Sequence, residues 1–204
     1  MENQDYLNQI SGDVRPAKPE KTSFLSSKYL KWGLGFVAGL VLVMIAGSLL
    51  GSASGGVKKD GIWLKLRIDN ALEAISEYQN IVKSSNLRSS SASLYGVLSN
   101  TSRDLTTYLT EKYEYSEKST PKDLTEEMTL EKDGLLAELF EAKINGNLDR
   151  IYAHKMAYEI TMITSKEADL IDATSDKDLK ALLETSYDSL ATLYEKFNDF
   201  SETK

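Results

Sequence analysis

His154 is the only histidine in the chain, and there is no cysteine. Those two counts decide much of the possible chemistry. Zinc sites, thiol nucleophiles and disulfide frameworks all draw on residue types that are scarce or missing here. A di-metal carboxylate centre in a helical bundle takes Glu-x-x-His from two helices and a Glu from each of two others. Three residues before His154 stands Ile151, so the motif cannot be built. Glu159 is five residues on, where the two side chains diverge around a helix. Serines are frequent between residues 84 and 93, but without a Gly-x-Ser-x-Gly turn or a second histidine they offer no triad. The pairs Glu126/Glu127 and Glu138/Glu141 have the helical spacing of a solvated face. Glu167 alone interrupts an apolar run, either as a buried acid or as the edge of a drifting stripe, and the drift is favoured. No Gly-rich phosphate loop is present. The expectation is a non-enzymatic chain with no catalytic residue, no metal ligand and no cofactor.

Charge narrows the partners. Residues 1–60 carry a net charge of +2 and residues 61–204 a net charge of −9. An acidic second half argues against nucleic acid, whose phosphates are bound by clustered Lys and Arg. Between them lies the stretch Gly33 to Gly51, nineteen residues without a charge. At about 1.5 Å per residue it is long enough for a hydrocarbon core of about 30 Å. Tyr29 and Trp32 precede it, where amphipathic rings suit the headgroup zone. Gly51-Ser52-Ala53 offers small residues for a signal-peptidase cut, but the run exceeds the usual 7–15-residue apolar region, which favours a retained anchor. Residues 32–51 are therefore read as a transmembrane helix, with the lipid bilayer as partner. Five basic residues before it and four after it give a weak bias to a cytoplasmic N-terminus. The resulting placement is the cell membrane, single-pass, with the C-terminal domain extracytoplasmic.

Gly35, Gly39, Gly47 and Gly51 recur at multiples of four, a small-residue ladder through which two such helices could associate into a homo-oligomer. Residues 1–31, with two of the three prolines, read as a disordered tail. Within it Tyr6, Leu7 and Ile10 form a short apolar motif able to dock in a groove. Residues 52–61 read as a flexible Gly/Ser linker.

From residue 62 onward helical spacing dominates, and Pro121 is the only proline. Helices are expected over 62–84, with Ile68, Leu72, Ile75 and Val82 inward, and over 92–116, with Leu94, Leu98, Leu105, Tyr108 and Leu109 inward. A serine-rich break separates them. A third opens at Thr120-Pro121 with Leu124, Met128, Leu135, Leu139 and Phe140 inward, and stops at Asn145-Gly146. Asn147 is expected to cap the fourth, with Leu148, Tyr152, Met156, Ile160, Ile163 and Leu170 inward. Ser175 to Asp178 opens the fifth, whose stripe alternates fours and threes from Leu179 to Phe200. Short loops between long helices imply an all-α, up-and-down bundle of four to five helices. Tyr108, Tyr113 and Tyr115 cluster near the end of the second helix, a candidate interaction patch if exposed and core if buried.

The order of these features resembles a ferritin-like family of exported bacterial helical bundles, often labelled predicted outer-membrane proteins. The likeness rests on Leu148-Asp149-Arg150-Ile151-Tyr152 entering a long helix, Asp178-Leu179-Lys180 in the last one, and more loosely on "SSNLR" and "LTEEM" upstream. It implies a ferritin-like fold and export. Histidines that members often carry in the second and fourth helices are absent from "SNTSRDLTTYL" and "AYEITM". The leading expectation is a tethered bundle that binds a protein or other envelope component. The alternatives are a carboxylate-based ferritin-like metal or oxidative-stress domain, and a sensor signalling to the N-terminal tail.

Overall fold

The structure, a computed structural model, describes residues 55–200. The expected tail, transmembrane span, glycine ladder and Tyr6-Leu7-Ile10 motif lie outside the described residues. Within them no helix is long and apolar enough to cross a membrane. Five α-helices are found there: α1 (Gly55–Tyr78), α2 (Ser85–Tyr113), α3 (Lys122–Ile144), α4 (Leu148–Ala173) and α5 (Lys177–Asn198). A short 3-10 turn at Glu117–Ser119 lies between α2 and α3.

Two stretches, the expected linker and the serine-rich break, differ from their expected reading, and local contacts explain both. The presumed linker is helical from Gly55, because tertiary contacts override its composition. Val57 packs against the core, and Lys58 Nζ donates to the Tyr113 carbonyl at 3.1 Å. At the other end α1 stops at Tyr78, and the serine-rich stretch forms the start of α2 instead of a break. Ser84 is its N-cap, accepting from Leu87 N–H. Ser91 and Ser93 donate back to carbonyls four residues earlier, which satisfies their hydroxyls inside the helix. Leu87 and Leu94 then hold the segment in the core.

Contact pairs give the directions. Gly61 meets Leu109 and Asp69 meets Ser102, so α1 and α2 are antiparallel. Asp60 meets Lys166 and Arg67 meets Glu159, so α1 and α4 are antiparallel as well. Thr101 bonds Ser186 and Lys112 pairs with Asp176 across α2 and α5. Tyr152 stacks near Phe197 across α4 and α5. The four helices α1, α2, α5 and α4 thus close a ring of antiparallel neighbours. α3 stands outside that ring, in the groove between α1 and α4. It runs parallel to α1, since Asn70 bonds the Met128 carbonyl and Tyr78 the Leu136 carbonyl at the same offset. To reach that groove the chain reverses after α2 at Glu114, whose φ of 52° is left-handed. It then crosses α1 beside Lys65, whose ammonium lies 6.0 Å from the buried Tyr115 ring.

The inward stripes expected for α2, α4 and α5 are buried, except that Phe200 of the last is half-buried. Phe140 of α3 is a correction: it is 53% exposed. It follows Leu139, which fills the α1/α4 groove, and one residue of helix turns the next side chain about 100° away. The Asn145-Gly146 stop is found, with Gly146 at φ 73° and Asn147 N–H bonded to the Ala142 carbonyl. Asn147 occupies the N-cap position of α4 but makes no side-chain cap bond. At α5 the cap is Asp176, which accepts from the N–H groups of Asp178 and Leu179.

Gly61, Gly96 and Gly134, all within helices, divide by what a methyl group would meet. At Gly96 and Gly134 the space is open, whereas at Gly61 it would lie 3.0 Å from Leu109 Cδ2. Gly61 thus lets α1 approach α2 closely. Gly96→Ala and Gly134→Ala should each raise stability by about 0.5–1 kcal/mol, the helical advantage of Ala over Gly. Gly61→Ala should fall short of that gain. Urea midpoints of the three variants measure the difference.

Candidate functional site

Among the described residues two buried polar clusters stand out inside the bundle, and clefts open at its surface. The first cluster joins α1, α4 and α3 around Arg67, which is 4% exposed. Its Nε and Nη2 bond Glu159 Oε2 and Oε1 at 2.6 and 3.0 Å, and Nη1 reaches Glu131 Oε2 at 2.5 Å. The guanidinium lies 5.6 Å from the Trp63 ring and 5.8 Å from the Tyr158 ring. Lys166 shares the Trp63 ring at 5.4 Å and pairs with Asp60 at 3.4 Å. Burial pushes the Glu159 carboxyl up from its ordinary range, and the bonds from Arg67 only partly oppose this. With two carboxylates engaged, Arg67 acts as a clamp that seats α3 on the ring. Lys132–Glu73 and Lys155–Glu138 add ion pairs along the same two grooves.

The second cluster lies where α2, α4 and α5 meet. Thr101 and Ser186 bond each other at 2.9 Å, and Thr101 Oγ1 also lies 3.0 Å from the Val97 carbonyl. Glu167 belongs to this layer and is completely buried, so the expectation that the stripe drifts past it is overturned. Neither of its carboxylate oxygens has a hydrogen-bond partner. Burial pushes its carboxyl up to about 8, beside a Ser186 hydroxyl that bonds neither oxygen. A single helical turn explains the placement: Ile163 and Leu170, four before and three after, are both in the core.

The clefts are more open. One, of about 600 Å³, is lined by Ile81, Lys83, Ser84, Lys143 and Phe200 among others. Its acidic residue, Asp149, already accepts from the Lys83 and Ser84 N–H groups at 2.9 and 2.7 Å. Another, of about 340 Å³, contains Arg150, Phe197 and His154. His154 is exposed there, and among the described residues no three His, Cys, Asp or Glu side chains converge on a metal-sized site. The Asp149-Arg150-x-Tyr152 run thus has structural duties. Asp149 ties the α1–α2 turn to α4, and Tyr152 is buried with its ring centroid 6.5 Å from that of Phe197. Burial of Tyr152 pushes its hydroxyl up to about 12.

The tyrosine cluster takes its core alternative. Tyr108 and Tyr115 are buried and Tyr113 is half-buried, with Tyr108 and Tyr113 edge to face at 6.2 Å. They do not form an exposed patch, because the reversal at Glu114 folds Tyr115 back over α1. The exposed large apolar side chains lie elsewhere. Three are on α3: Leu130 at 73%, Ile144 at 68% and Phe140 at 53% exposure. Leu130, Ala137 and Ile144 are seven residues apart, and Phe140 falls at the intervening position of the same seam. Sequence spacing had assigned only the inner face of α3, yet this second stripe is visible in it once the helix is known to lie outside the ring. Comparison with protein-family models, with curated proteins and with solved structures finds no match to this chain.

Proposed function

We propose that the chain is a single-pass membrane protein whose extracytoplasmic helical bundle is a non-enzymatic binding module for a partner protein. The observation that carries this reading is the solvent-facing seam of α3. A helix applied to the outside of a closed four-helix ring, with Leu130, Phe140 and Ile144 left uncovered, suits an added partner helix. The uncharged stretch from Gly33 to Gly51 supports the anchor, and its glycine ladder supports self-association within the membrane. The ferritin-like kinship is proposed on the same footing, from the antiparallel helices and the Asp149-Arg150-x-Tyr152 run. Its metal-binding form receives no support from the side chains, since no ligand set converges among the described residues.

Photo-crosslinking residues placed at 130 and 144 of the full chain test the seam in native membranes. One discrete adduct at both positions is expected, abolished in the companion Phe140→Glu variant. An adduct of twice the chain mass would identify the partner as a second copy. No adduct, or one that forms equally from a probe at Tyr187 on α5, would overturn the reading.

The sensor reading has its own observation, the buried acid of α4, and that residue supports an inference independent of any partner.

A further inference from the structure

The seam between α2, α4 and α5 contains a carboxylic acid that nothing in the surrounding packing neutralises as an anion. Glu167 is completely buried, and both of its oxygens lack a hydrogen-bond donor. The charged groups on the helices around it are engaged elsewhere. On α1, Arg67 is held by Glu159 and Glu131, and Lys65 by Asp69 at 2.7 Å. Beside it on α4, Lys166 turns to Asp60 and Asp169. On α3, Glu131 is bound to Arg67, and the Thr101 and Ser186 hydroxyls of α2 and α5 bond each other.

Those hydroxyls have a direction. Thr101 has one hydrogen, and its Oγ1 lies within bonding distance of both the Val97 carbonyl and Ser186 Oγ. A carbonyl can only accept, so Thr101 donates to Val97 and receives from Ser186. Ser186 Oγ is then left with acceptor capacity and no hydrogen to offer. The acid therefore stands beside a pair of hydroxyls already satisfied by each other and by Val97, and burial without a partner costs the neutral carboxyl far less than the anion. An ionised Glu167 finds no hydrogen-bond donor in this packing.

We propose that Glu167 is a proton-binding site that latches α5 onto α2 and α4, so that loss of its proton opens this seam while α1, α3 and α4 stay assembled. α5 is suited to move in this way, because its principal neighbours are α2 and α4 and the Glu167 layer lies between all three. Ionisation releases the proton to water, and the anion regains hydration only if the seam parts. The sign follows from burial holding the closed-state carboxyl up at about 8, against an ordinary value near 4.5 in the open state. Opening should therefore grow about tenfold per pH unit between about 5 and 8 and level off above that.

Amide hydrogen exchange of the full chain at pH 5, 6.5 and 8, corrected for intrinsic rates, tests the latch. Protection of α5 amides should fall at least a hundredfold from pH 5 to pH 8 and remain nearly constant in α1. In Glu167→Gln, α5 protection should be independent of pH. Equal pH dependence in wild type and variant, or a uniform loss over all helices, would overturn the proposal. Should Glu167→Gln fail to fold, Glu167→Met takes its place. Independently, the infrared carbonyl band of a protonated carboxylic acid should persist in the wild type at pH 7, and its absence there would equally overturn the proposal.

Discussion

Replacing Arg67 with Met is expected to destabilise the bundle by about 3–5 kcal/mol at pH 7, the usual loss when one member of a buried ion pair is removed. The size comes from what is left behind. Glu159 is 6% exposed and receives two of its hydrogen bonds from Arg67, so the variant buries an uncompensated carboxylate. Glu131 is different, because its side chain is 42% exposed and can return to water. A second substitution, Glu159→Leu, should therefore restore most of the lost stability, since apolar replacement of a whole buried pair is often neutral. Acid gives a further check. Without Arg67 the Glu159 carboxyl is held up still more strongly than in the wild type, where burial already raises it. The penalty of a raised carboxyl is absent below its unfolded value and grows as pH rises toward the folded one. The Arg67→Met deficit should thus shrink as pH is lowered toward 4. Urea unfolding of wild type, single and double variants measures all three statements. A double variant no more stable than the single one would show that Arg67 matters through its packing on Trp63 and Tyr158 instead.

The sequence carried the helices better than their neighbours. The stripes of α2, α4 and α5 could be read because each presents one main apolar face, and a 3.6-residue period identifies a single face well. α1 escaped that logic. It packs against α2, α4 and α3, so Arg67 and Lys65 are covered as well as Ile68 and Ile75. Glu159 is buried for the same reason: α3 and its Glu131 close over a sector of α4 that a one-stripe reading leaves in water. Nothing local to residues 122–144 says that the helix leaves the sequential order and settles in the α1/α4 groove. That outcome depends on the reversal at Glu114, where a non-glycine residue takes a left-handed conformation without an obvious sequence signal. Glu167 was legible as an anomaly in an apolar run. Its depth was not, because spacing cannot say whether an acid meets a lysine, water or, as here, no hydrogen-bond partner.

The stability of the whole bundle should fall as pH rises from about 4.5 to 8, and the Glu167→Gln difference curve isolates the responsible group. In the unfolded chain Glu167 ionises near the ordinary carboxylate value, whereas burial keeps the folded form protonated to about 8. Below both values the group is neutral in both states and contributes no penalty. Between them the folded state binds a proton that the unfolded state has released, so each pH unit lowers stability by about 1.4 kcal/mol. By pH 7 the accumulated loss is about 3 kcal/mol, and above 8 it no longer grows. Glu159 and Asp169 are also raised by burial and add slopes of the same sign. For that reason the wild-type curve alone does not identify Glu167. Subtracting the Glu167→Gln curve removes the shared slopes, leaving a difference that should be flat below pH 4.5, rise by about 3 kcal/mol at pH 7 in the variant's favour, and plateau past 8. Parallel curves would mean that Glu167 is hydrated or paired in the folded protein. A difference of the expected size would show that this bundle holds an internal proton at neutral pH at the expense of its own stability, which is the energetic condition a proton-operated latch requires.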